Sequence, residues 1–348
     1  MELSLRKKVV FSLIVLLTPM ALLEVGLRIF TSQNSQWNVR IGGNKQFDPV
    51  TGVRNKPNIR WTDRVLTNEH GYLAPQGITY EKPPDTVRMI FMGDSVTFFP
   101  IEHNYPREIE ERWEDRYSIE IEVLNAAVAG FASDNVRALY ESEIRDYEAD
   151  YFFLYVGWND LGQYGPEGLP YKRIATGYEV SNLERIVSNI YTVRIFYALQ
   201  RYMRHKQPTV DAPLNPADEA IYDAYYPSHF DENLRAVLTD ARQRYPHVYV
   251  ANLATITNSD PTPWELETAH FPTGMDKNIR KLDRLVATYN EVVEKVAREE
   301  GIPMVDLHGA FDDRSARRFF RDSCHVTVEG TRRLAASVLG VMEPPIPE

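Results

Sequence analysis

The sequence predicts an α/β fold in which helices cover both faces of a central parallel sheet. Two observations support this prediction. From residue 86 onward, apolar runs of strand length alternate with helical segments, an order typical of parallel sheets. The predicted strand at 150–157 has no charged residue after Asp150, as expected for a strand that is buried on both faces.

Strands and helices are expected in regular alternation over residues 86–343, after the boundary marked by Pro83 and Pro84. The predicted strands span residues 87–93, 119–127, 150–157, 247–254 and 302–309. The predicted helices span residues 107–117, 134–147, 231–244, 278–300 and 328–339. Each helix lies between two strands or follows the last one, as the crossover connections of a parallel sheet require.

Residues 161–228 interrupt this alternation. They contain nine tyrosines and one helical segment near residues 183–204. A connection of this length inside a compact domain is usually a lid or a binding loop. We therefore predict a cap insertion over the edge of the sheet that would carry the functional site.

The first thirty residues differ from the rest of the chain. The basic residues Arg6, Lys7 and Lys8 precede an uncharged run from Val9 to Leu23. This layout favours a transmembrane signal anchor over residues 1–30, with a cleaved signal peptide and a buried helix of the main domain as alternatives. The positive-inside rule then predicts that the domain after the helix is extracytoplasmic, in the periplasm or at the cell surface.

Residues 31–85 are polar and contain scattered glycines and prolines without a long helical period. We interpret them as a spacer with short strands or hairpins that pack against the main domain. The net charge of the whole chain is -10, with a pI of about 5.4, which argues against a general nucleic-acid binder. Because Cys324 is the only cysteine, an internal disulfide is excluded.

Polar residues suited to catalysis follow the ends of several predicted strands. Ser95 follows the first strand, Gly130 lies past the second, and Asn159 follows the third. Asp322 and His325 stand just before the last helix. Since the carboxyl ends of parallel strands meet at one edge of the sheet, the sequence predicts a single site built from these residues.

The residue types fit nucleophilic catalysis. A serine hydroxyl is a weak nucleophile that needs an adjacent base, and His325 can supply it. Asp322, three residues earlier, can bond the imidazole Nδ1 and fix its tautomer. The backbone N–H groups of Ser95 and Gly130 and the side-chain amide of Asn159 can supply three donors to an oxyanion.

Taken together, these segments resemble the GDSL/SGNH hydrolase superfamily. The four sequence blocks appear in order as Gly93-Asp94-Ser95, Gly130, Gly157-Trp158-Asn159-Asp160 and Asp322-Ser323-Cys324-His325. The resemblance covers roughly residues 86–340, and the N-terminal segment is similar to that of membrane-anchored bacterial members. It implies a flavodoxin-like three-layer α/β/α fold and hydrolysis of an ester, often an O-acetyl or other short acyl ester. Val96 stands where the family motif has Leu, and the long insertion has no counterpart in the motif.

Three further residues within these blocks need an interpretation of their own. Asp94 could be a second catalytic acid, but we favour a structural role in which its carboxylate bonds the amides of the turn. We expect Asp160 to hold the loop that presents Asn159. Cys324 could pair with the adjacent His325 as a nucleophile, although neighbouring residues rarely have the required geometry.

Trp158 and His270 are candidates for the substrate pocket. The remaining histidines are scattered without the spacing of metal ligands, so we expect no metal site and no cofactor. The function predicted from the sequence is a serine esterase acting on an acylated glycan of the cell envelope. An O-acyltransferase, a lipid esterase, and a non-enzymatic binding or assembly protein on the same fold are the alternatives.

Overall fold

The structure is a computed structural model. It describes residues 4–32, 44–61, 64–163, 166, 190–196, 199, 208–258, 260–272, 275, 277–311 and 316–345. Over these residues the predicted α/β architecture is confirmed.

A five-stranded parallel sheet forms the centre of the molecule. Its strands are β5 (Thr86–Gly93), β6 (Glu120–Asn125), β7 (Tyr151–Tyr155), β8 (His247–Ala251) and β9 (Met304–Val305). They lie in the order β6-β5-β7-β8-β9, and all neighbouring pairs are parallel. The chain passes from β5 to β6 on one side of it and then to β7 on the other side. This reversal creates a topological switch point at the carboxyl end of β5.

Helices pack on both faces of this sheet. The longer helices are α3 (Tyr105–Tyr117), α4 (Ser133–Ser142), α7 (Ser228–Arg244), α9 (Ile279–Glu300) and α11 (Val328–Leu339). The shorter helices are α2 (Ser95–Phe98), α5 (Asp160–Gln163), α6 (Pro216–Ala224), α8 (Pro263–Thr268) and α10 (Ala316–Phe319). In one layer α3 packs against α11, and in the other α7 lies between α4 and α9. The sheet and the inner faces of these helices bury one continuous apolar core.

Several predicted elements are shorter than expected, and the largest differences are in the last strand and the second helix. The strand predicted over residues 302–309 is reduced to Met304–Val305, because the carboxylate and amide oxygens of Asp306 and Asn252 accept the following backbone N–H groups. The helix predicted over residues 134–147 ends at Ser142, and a single 3-10 turn follows it at Ile144–Asp146.

The segment before the sheet folds as two small antiparallel hairpins. The first pairs β1 (Lys45–Asp48) with β2 (Gly52–Asn55), and the second pairs β3 (Arg60–Trp61) with β4 (Arg64–Val65). The first hairpin is held against the main domain, since the Thr51 carbonyl accepts a hydrogen bond from the Asn135 side chain at 2.9 Å. These residues are therefore part of the folded body of the protein.

The N-terminal segment is a single helix, α1 (Leu5–Ser32). Its most apolar window, which lies within Leu5–Phe30, has a mean hydropathy of 2.2 and no buried residues, and the helix is long enough to cross a membrane. The alternative of a buried helix of the main domain is therefore wrong. A membrane anchor and a signal sequence both fit this helix.

Much of the insertion predicted at 161–228 lies outside the described residues, as does most of the helix predicted at 183–204. Residues 191–196 are helical. Helix α6 packs along α9 through the ion pair between Asp218 and Lys281, with 3.1 Å between the carboxylate and Nζ. Tyr222 on α6 is buried, so this tyrosine packs within the domain.

Candidate active site

Ser95 lies at the carboxyl end of β5, at the switch point of the sheet. The strand ends at Gly93, and Ser95 is the first residue of the short helix α2, with Asp94 as its N-cap. A Cβ at position 93 would lie 2.4 Å from the Tyr155 carbonyl oxygen and 2.5 Å from the Thr97 hydroxyl oxygen. Only glycine fits there, and the close approach produces the tight strand-to-helix turn that presents the serine.

A chain of hydrogen bonds joins Ser95, His325 and Asp322. The Ser95 Oγ lies 2.9 Å from His325 Nε2. On the other side of the ring, His325 Nδ1 lies 2.9 Å from Asp322 Oδ2 and 3.1 Å from Oδ1. The Asp322 carboxylate also accepts the backbone N–H groups of Cys324 and His325 at 3.0 and 2.9 Å. These bonds fix the carboxylate, which in turn fixes the ring.

The charges of Asp322 and His325 stabilise each other. Burial by itself would raise the pKa of Asp322, but the hydrogen bond and charge of His325, with the charge of His270, lower it from 3.8 to about 2. Burial would likewise lower the pKa of His325, yet the hydrogen bond and charge of Asp322, with the charge of Asp94, raise it above 6.5. Asp322 is therefore ionised at neutral pH and accepts a hydrogen bond from the Nδ1–H of His325. When the ring is neutral, Nε2 is then free of a proton and can accept a hydrogen bond from the serine hydroxyl.

Two backbone N–H groups at this edge of the sheet, those of Ser95 and Gly130, have no hydrogen-bond partner among the described residues. Gly130 lies in a turn closed by the hydrogen bond from the Phe131 N–H to the Val128 carbonyl at 3.0 Å, and its φ of +87° is a conformation that favours glycine. Among the hydrogen bonds of the described residues, none uses the backbone N–H of Ser95 or of Gly130. Both groups are thus available as donors to a ligand.

Asn159 is tied to the Gly130 turn. Its Nδ2 donates to the Phe131 carbonyl at 2.9 Å, which leaves its second amide hydrogen available to a ligand. The next residue, Asp160, is fully buried and accepts the backbone N–H and the hydroxyl of Ser133. Burial raises the pKa of Asp160 to about 8, although the bonds from Ser133 act in the opposite direction. These bonds join the loops after β6 and β7, as expected if Asp160 holds the loop of Asn159.

Asp94 has the contacts of a structural residue. Its Oδ1 accepts the backbone N–H of Val96 at 2.9 Å, as an N-cap does. Its side chain is fully buried, and burial raises its pKa to about 6, although the Val96 N–H and the charge of His325 lower it. No hydrogen bond joins Asp94 to His325 in the described residues, so the ring takes its orientation from Asp322.

Asp322, Cys324 and His325 also bring three potential metal ligands within 4.8 Å of one another. The donor set does not fit a metal, since both imidazole nitrogens already bond, one to Ser95 and one to Asp322. The Cys324 thiol is fully buried, and burial raises its pKa well above 9.0, so it stays protonated. A protonated thiol is also a poor nucleophile, which argues against the alternative Cys-His pair.

The two candidates for the substrate pocket lie in different surroundings. The His270 ring stands 5.1 Å from the His325 ring, centroid to centroid, at an interplanar angle of 65°. Its backbone N–H donates to the Ser323 hydroxyl at 3.0 Å. Trp158, in contrast, is only 1% exposed, and its Nε1 has no hydrogen-bond partner in the described residues. His270 is thus beside the triad, whereas Trp158 belongs to the packed base of its loop.

Two further contacts beside Gly130 correspond to no pattern in the sequence. The Lys45 ammonium, on the first hairpin, donates to the Ala129 carbonyl next to Gly130. From the paired position on β2, the Asn55 Nδ2 donates to the Ala127 carbonyl at 3.0 Å. A lysine and an asparagine in a polar segment carry no recognisable motif, so these two residues could be found only from the folded chain.

Comparison with known proteins identifies the family to which the chain belongs. The model of the GDSL-like lipase/acylhydrolase family matches residues 91–333, and no curated protein matches the chain. Among solved structures, the acetylxylan esterase Axe2 from Geobacillus stearothermophilus is 16% identical, with a TM-score of 0.46 over 73% of this chain and 93% of that one. The acetyl xylan esterase AlAXEase is also 16% identical, with a TM-score of 0.45 over 73% of this chain and 98% of that one. Because the family match covers well over half of the sequence and includes the serine turn and the Asp322–His325 pair, the chain belongs to the GDSL-like lipase/acylhydrolase family and is a carboxylic ester hydrolase.

Proposed function

We propose that this protein is a serine esterase in which Ser95, His325 and Asp322 form the catalytic triad. The observation that carries the proposal is the unbroken chain of hydrogen bonds from the Ser95 Oγ through both imidazole nitrogens to the Asp322 carboxylate. Each member stands at the distance that its role requires: nucleophile to base, and base to the group that orients it.

In the first step the Ser95 Oγ attacks the ester carbonyl carbon while His325 Nε2 takes the hydroxyl proton. The imidazolium that forms is stabilised by Asp322, which is already ionised. The tetrahedral intermediate then collapses, the bond to the alcohol oxygen breaks, and His325 returns its proton to the leaving alcohol. The product of this step is an acyl group on Ser95.

The negative charge on the carbonyl oxygen is held by three donors from three loops. They are the backbone N–H groups of Ser95 and Gly130 and the unused Nδ2 hydrogen of Asn159. Donors fixed in advance stabilise a developing charge without reorganisation. The bonds from Asn159 to Phe131 and from Ser133 to Asp160 supply that fixation.

Water resolves the acyl-enzyme by the same route. His325 removes a proton from the water, the hydroxide attacks the acyl carbon, and the proton passes to the Ser95 oxygen as the acid leaves. Every proton in this cycle moves through His325, so the proposed reaction needs no cofactor.

The proposed substrate is an O-acylated glycan of the cell envelope, with a short acyl group such as acetyl. Helix α1 would anchor the protein in a membrane, with the catalytic domain on the extracytoplasmic side. This helix also contacts a described segment of the insertion, since the Glu24 carboxylate accepts the backbone N–H groups of Tyr191 and Thr192 at 3.0 and 2.9 Å. The active site would then be held close to the bilayer and to the envelope polymers beside it.

Ester turnover by the full-length chain in detergent tests the proposal. Hydrolysis of p-nitrophenyl esters from acetate to long acyl chains is measured for the wild type, Ser95→Ala and Ser142→Ala. Ser142 is an exposed helix residue whose hydroxyl, within the described part of the chain, bonds only its own helix, so this variant is the matched control. We expect turnover by the wild type and the control, fastest on acetate, and none by Ser95→Ala. A preference for long chains would favour the lipid esterase, acetyl transfer to an added sugar would favour the acyltransferase, and equal rates for the wild type and Ser95→Ala would refute the triad.

A further inference from the structure

The turn that carries Gly130 has two possible arrangements of its central peptide. It spans residues 128–131 and is closed by the Phe131 N–H to Val128 carbonyl bond. The Gly130 φ of +87° matches the value of about +80° at the third position of a type II turn. A type I turn over the same residues differs mainly by rotation of the Ala129–Gly130 peptide, and glycine tolerates both forms.

The orientation of this peptide decides whether the oxyanion site exists. In a trans peptide the carbonyl and the N–H point in opposite directions. The Ala129 carbonyl and the Gly130 N–H belong to the same peptide unit, so whatever holds the carbonyl also aims the N–H. If the peptide flipped, the Ala129 oxygen would replace the Gly130 donor and would repel an oxyanion.

Lys45 holds that carbonyl. Its ammonium donates to the Ala129 oxygen, and its Nζ lies only 3.3 Å from the position of a Cβ on Gly130. The two neighbouring strands keep the lysine in place, because Lys45 pairs with Asn55, whose side chain bonds the Ala127 carbonyl. The first hairpin thus donates hydrogen bonds to two carbonyls of the loop after β6, those of Ala127 and Ala129.

The charge of the lysine adds to the effect of its position. A hydrogen bond from a cation is stronger than one from a neutral donor. It also polarises the peptide, which makes the N–H at the other end of the unit a better donor.

We propose that Lys45 is a positioning residue of the active site, which keeps the Ala129–Gly130 peptide in the orientation that points the Gly130 N–H at the oxyanion. The hairpin that precedes the sheet is then part of the catalytic apparatus. This inference rests on the proposed esterase function, and it adds a residue that acts through the peptide without touching the substrate.

The test compares Lys45→Met, Lys45→Arg and Lys82→Met in the full-length chain. Lys82 is the matched control, since its Nζ also donates to a backbone carbonyl, that of Thr86, at 2.8 Å. That carbonyl lies at the opposite end of β5 from the serine turn, since Thr86 and Gly93 are roughly 23 Å apart at about 3.3 Å per residue. The readouts are kcat and KM on p-nitrophenyl acetate, the affinity for a trifluoromethyl ketone that mimics the tetrahedral intermediate, and the unfolding midpoint.

For Lys45→Met we expect kcat to fall about 10- to 100-fold, somewhat less than for complete loss of an oxyanion donor. We expect KM to change less than about twofold, because the donor acts on the transition state. Affinity for the trifluoromethyl ketone falls with kcat, Lys45→Arg recovers a large part of both, and Lys82→Met matches the wild type. If Lys45→Met does not fold, the same comparison is made between Lys45→Gln and Lys45→Arg, with the loss expected in the uncharged variant.

The inference on Lys45 is overturned if Lys45→Met has the kcat and ketone affinity of Lys82→Met. It is also overturned if KM changes as much as kcat, since that would indicate a general distortion of the site. If the wild type itself shows no turnover that depends on Ser95, the proposed function fails and the inference fails with it. The two failures are therefore distinguishable in one experiment.

Discussion

Replacing Asp322 by asparagine tests how much the charge of Asp322 contributes to the basicity of His325. The pKa of Asp322 is lowered from 3.8 to about 2 even though burial acts in the opposite direction. A difference of nearly two units corresponds to about 2 kcal/mol of attraction on the ionised carboxylate, net of burial. The side chain of His325 supplies the largest favourable part of it.

The attraction between two charges is reciprocal, so the charge on Asp322 raises the pKa of His325 in turn. Some of the effect on Asp322 comes from a backbone N–H and from His270. We therefore expect Asp322→Asn to lower the pKa of His325, because the hydrogen bond and charge that raise it are lost. The amide would also donate toward Nδ1, favouring the tautomer with the proton on Nε2, and kcat should fall about 1,000- to 10,000-fold.

Two measurements check this prediction. The kcat for p-nitrophenyl acetate is compared between the wild type, Asp322→Asn and the control Asp240→Asn, whose carboxylate bonds Tyr140 and Arg244 on the helical surface. The pKa of His325 is measured by NMR titration in Ser95→Ala, with and without Asp322→Asn. A pKa of His325 that is unchanged or raised, or a kcat within about tenfold of the control, would refute the reasoning.

Three further predictions follow from single contacts. Asn159→Ala removes the side-chain donor and should lower kcat about 100- to 1,000-fold at nearly constant KM in steady-state kinetics; a loss confined to KM would contradict the oxyanion role. Cys324→Ala should keep kcat within about threefold of the wild type, because the thiol is buried and protonated, and complete loss of turnover with the fold intact would instead support a thiol nucleophile. Gly93→Ala should lower the free energy of unfolding by about 2 kcal/mol or more in urea titration, since its Cβ would meet the Tyr155 carbonyl at 2.4 Å; a stability equal to that of the wild type would show that the turn has room to spare.

The pH dependence follows from the raised pKa of His325. The base must be neutral, so kcat/KM should be low when the ring is protonated and should rise with pH through a pKa above 6.5. The pH profile of the wild type, measured with p-nitrophenyl acetate, checks the direction. An acid limb below pH 6 would contradict the account, because it would place the pKa of His325 below its ordinary value.

The sequence predicted the sheet and the site from the same signal. Apolar strands fix where the chain crosses the core, and polar residues directly after them must lie at one edge of a parallel sheet. For this reason the sequence alone predicts that Ser95 and Asn159 lie together. The need of a serine nucleophile for a base adds the Asp322–His325 pair, which stands just before the last helix. The strand predicted at 302–309 is much shorter in the structure. The side chains of Asn252 and Asp306 accept hydrogen bonds from backbone N–H groups in this segment, and the pattern of apolar residues does not reveal such contacts.

The contribution of Lys45 could not have been predicted. It reaches Ala129 from 84 positions earlier in the chain, and nothing in the local sequence distinguishes it from a solvated lysine. For Trp158 the local sequence was misleading. Its place beside Asn159 suggested a side chain that lines the substrate pocket, but the side chain is buried. Contacts that depend on how separate segments pack are set by the tertiary fold and not by local pattern.

The most direct test of the central claim is to find which residue is activated as a nucleophile. The full-length chain is treated with a fluorophosphonate, which phosphonylates activated serine hydroxyls, and the adduct is located by mass spectrometry. The account predicts one adduct, on Ser95, and none in Ser95→Ala. An adduct on another residue of the wild type, or a wild type that is not modified at all, would contradict it.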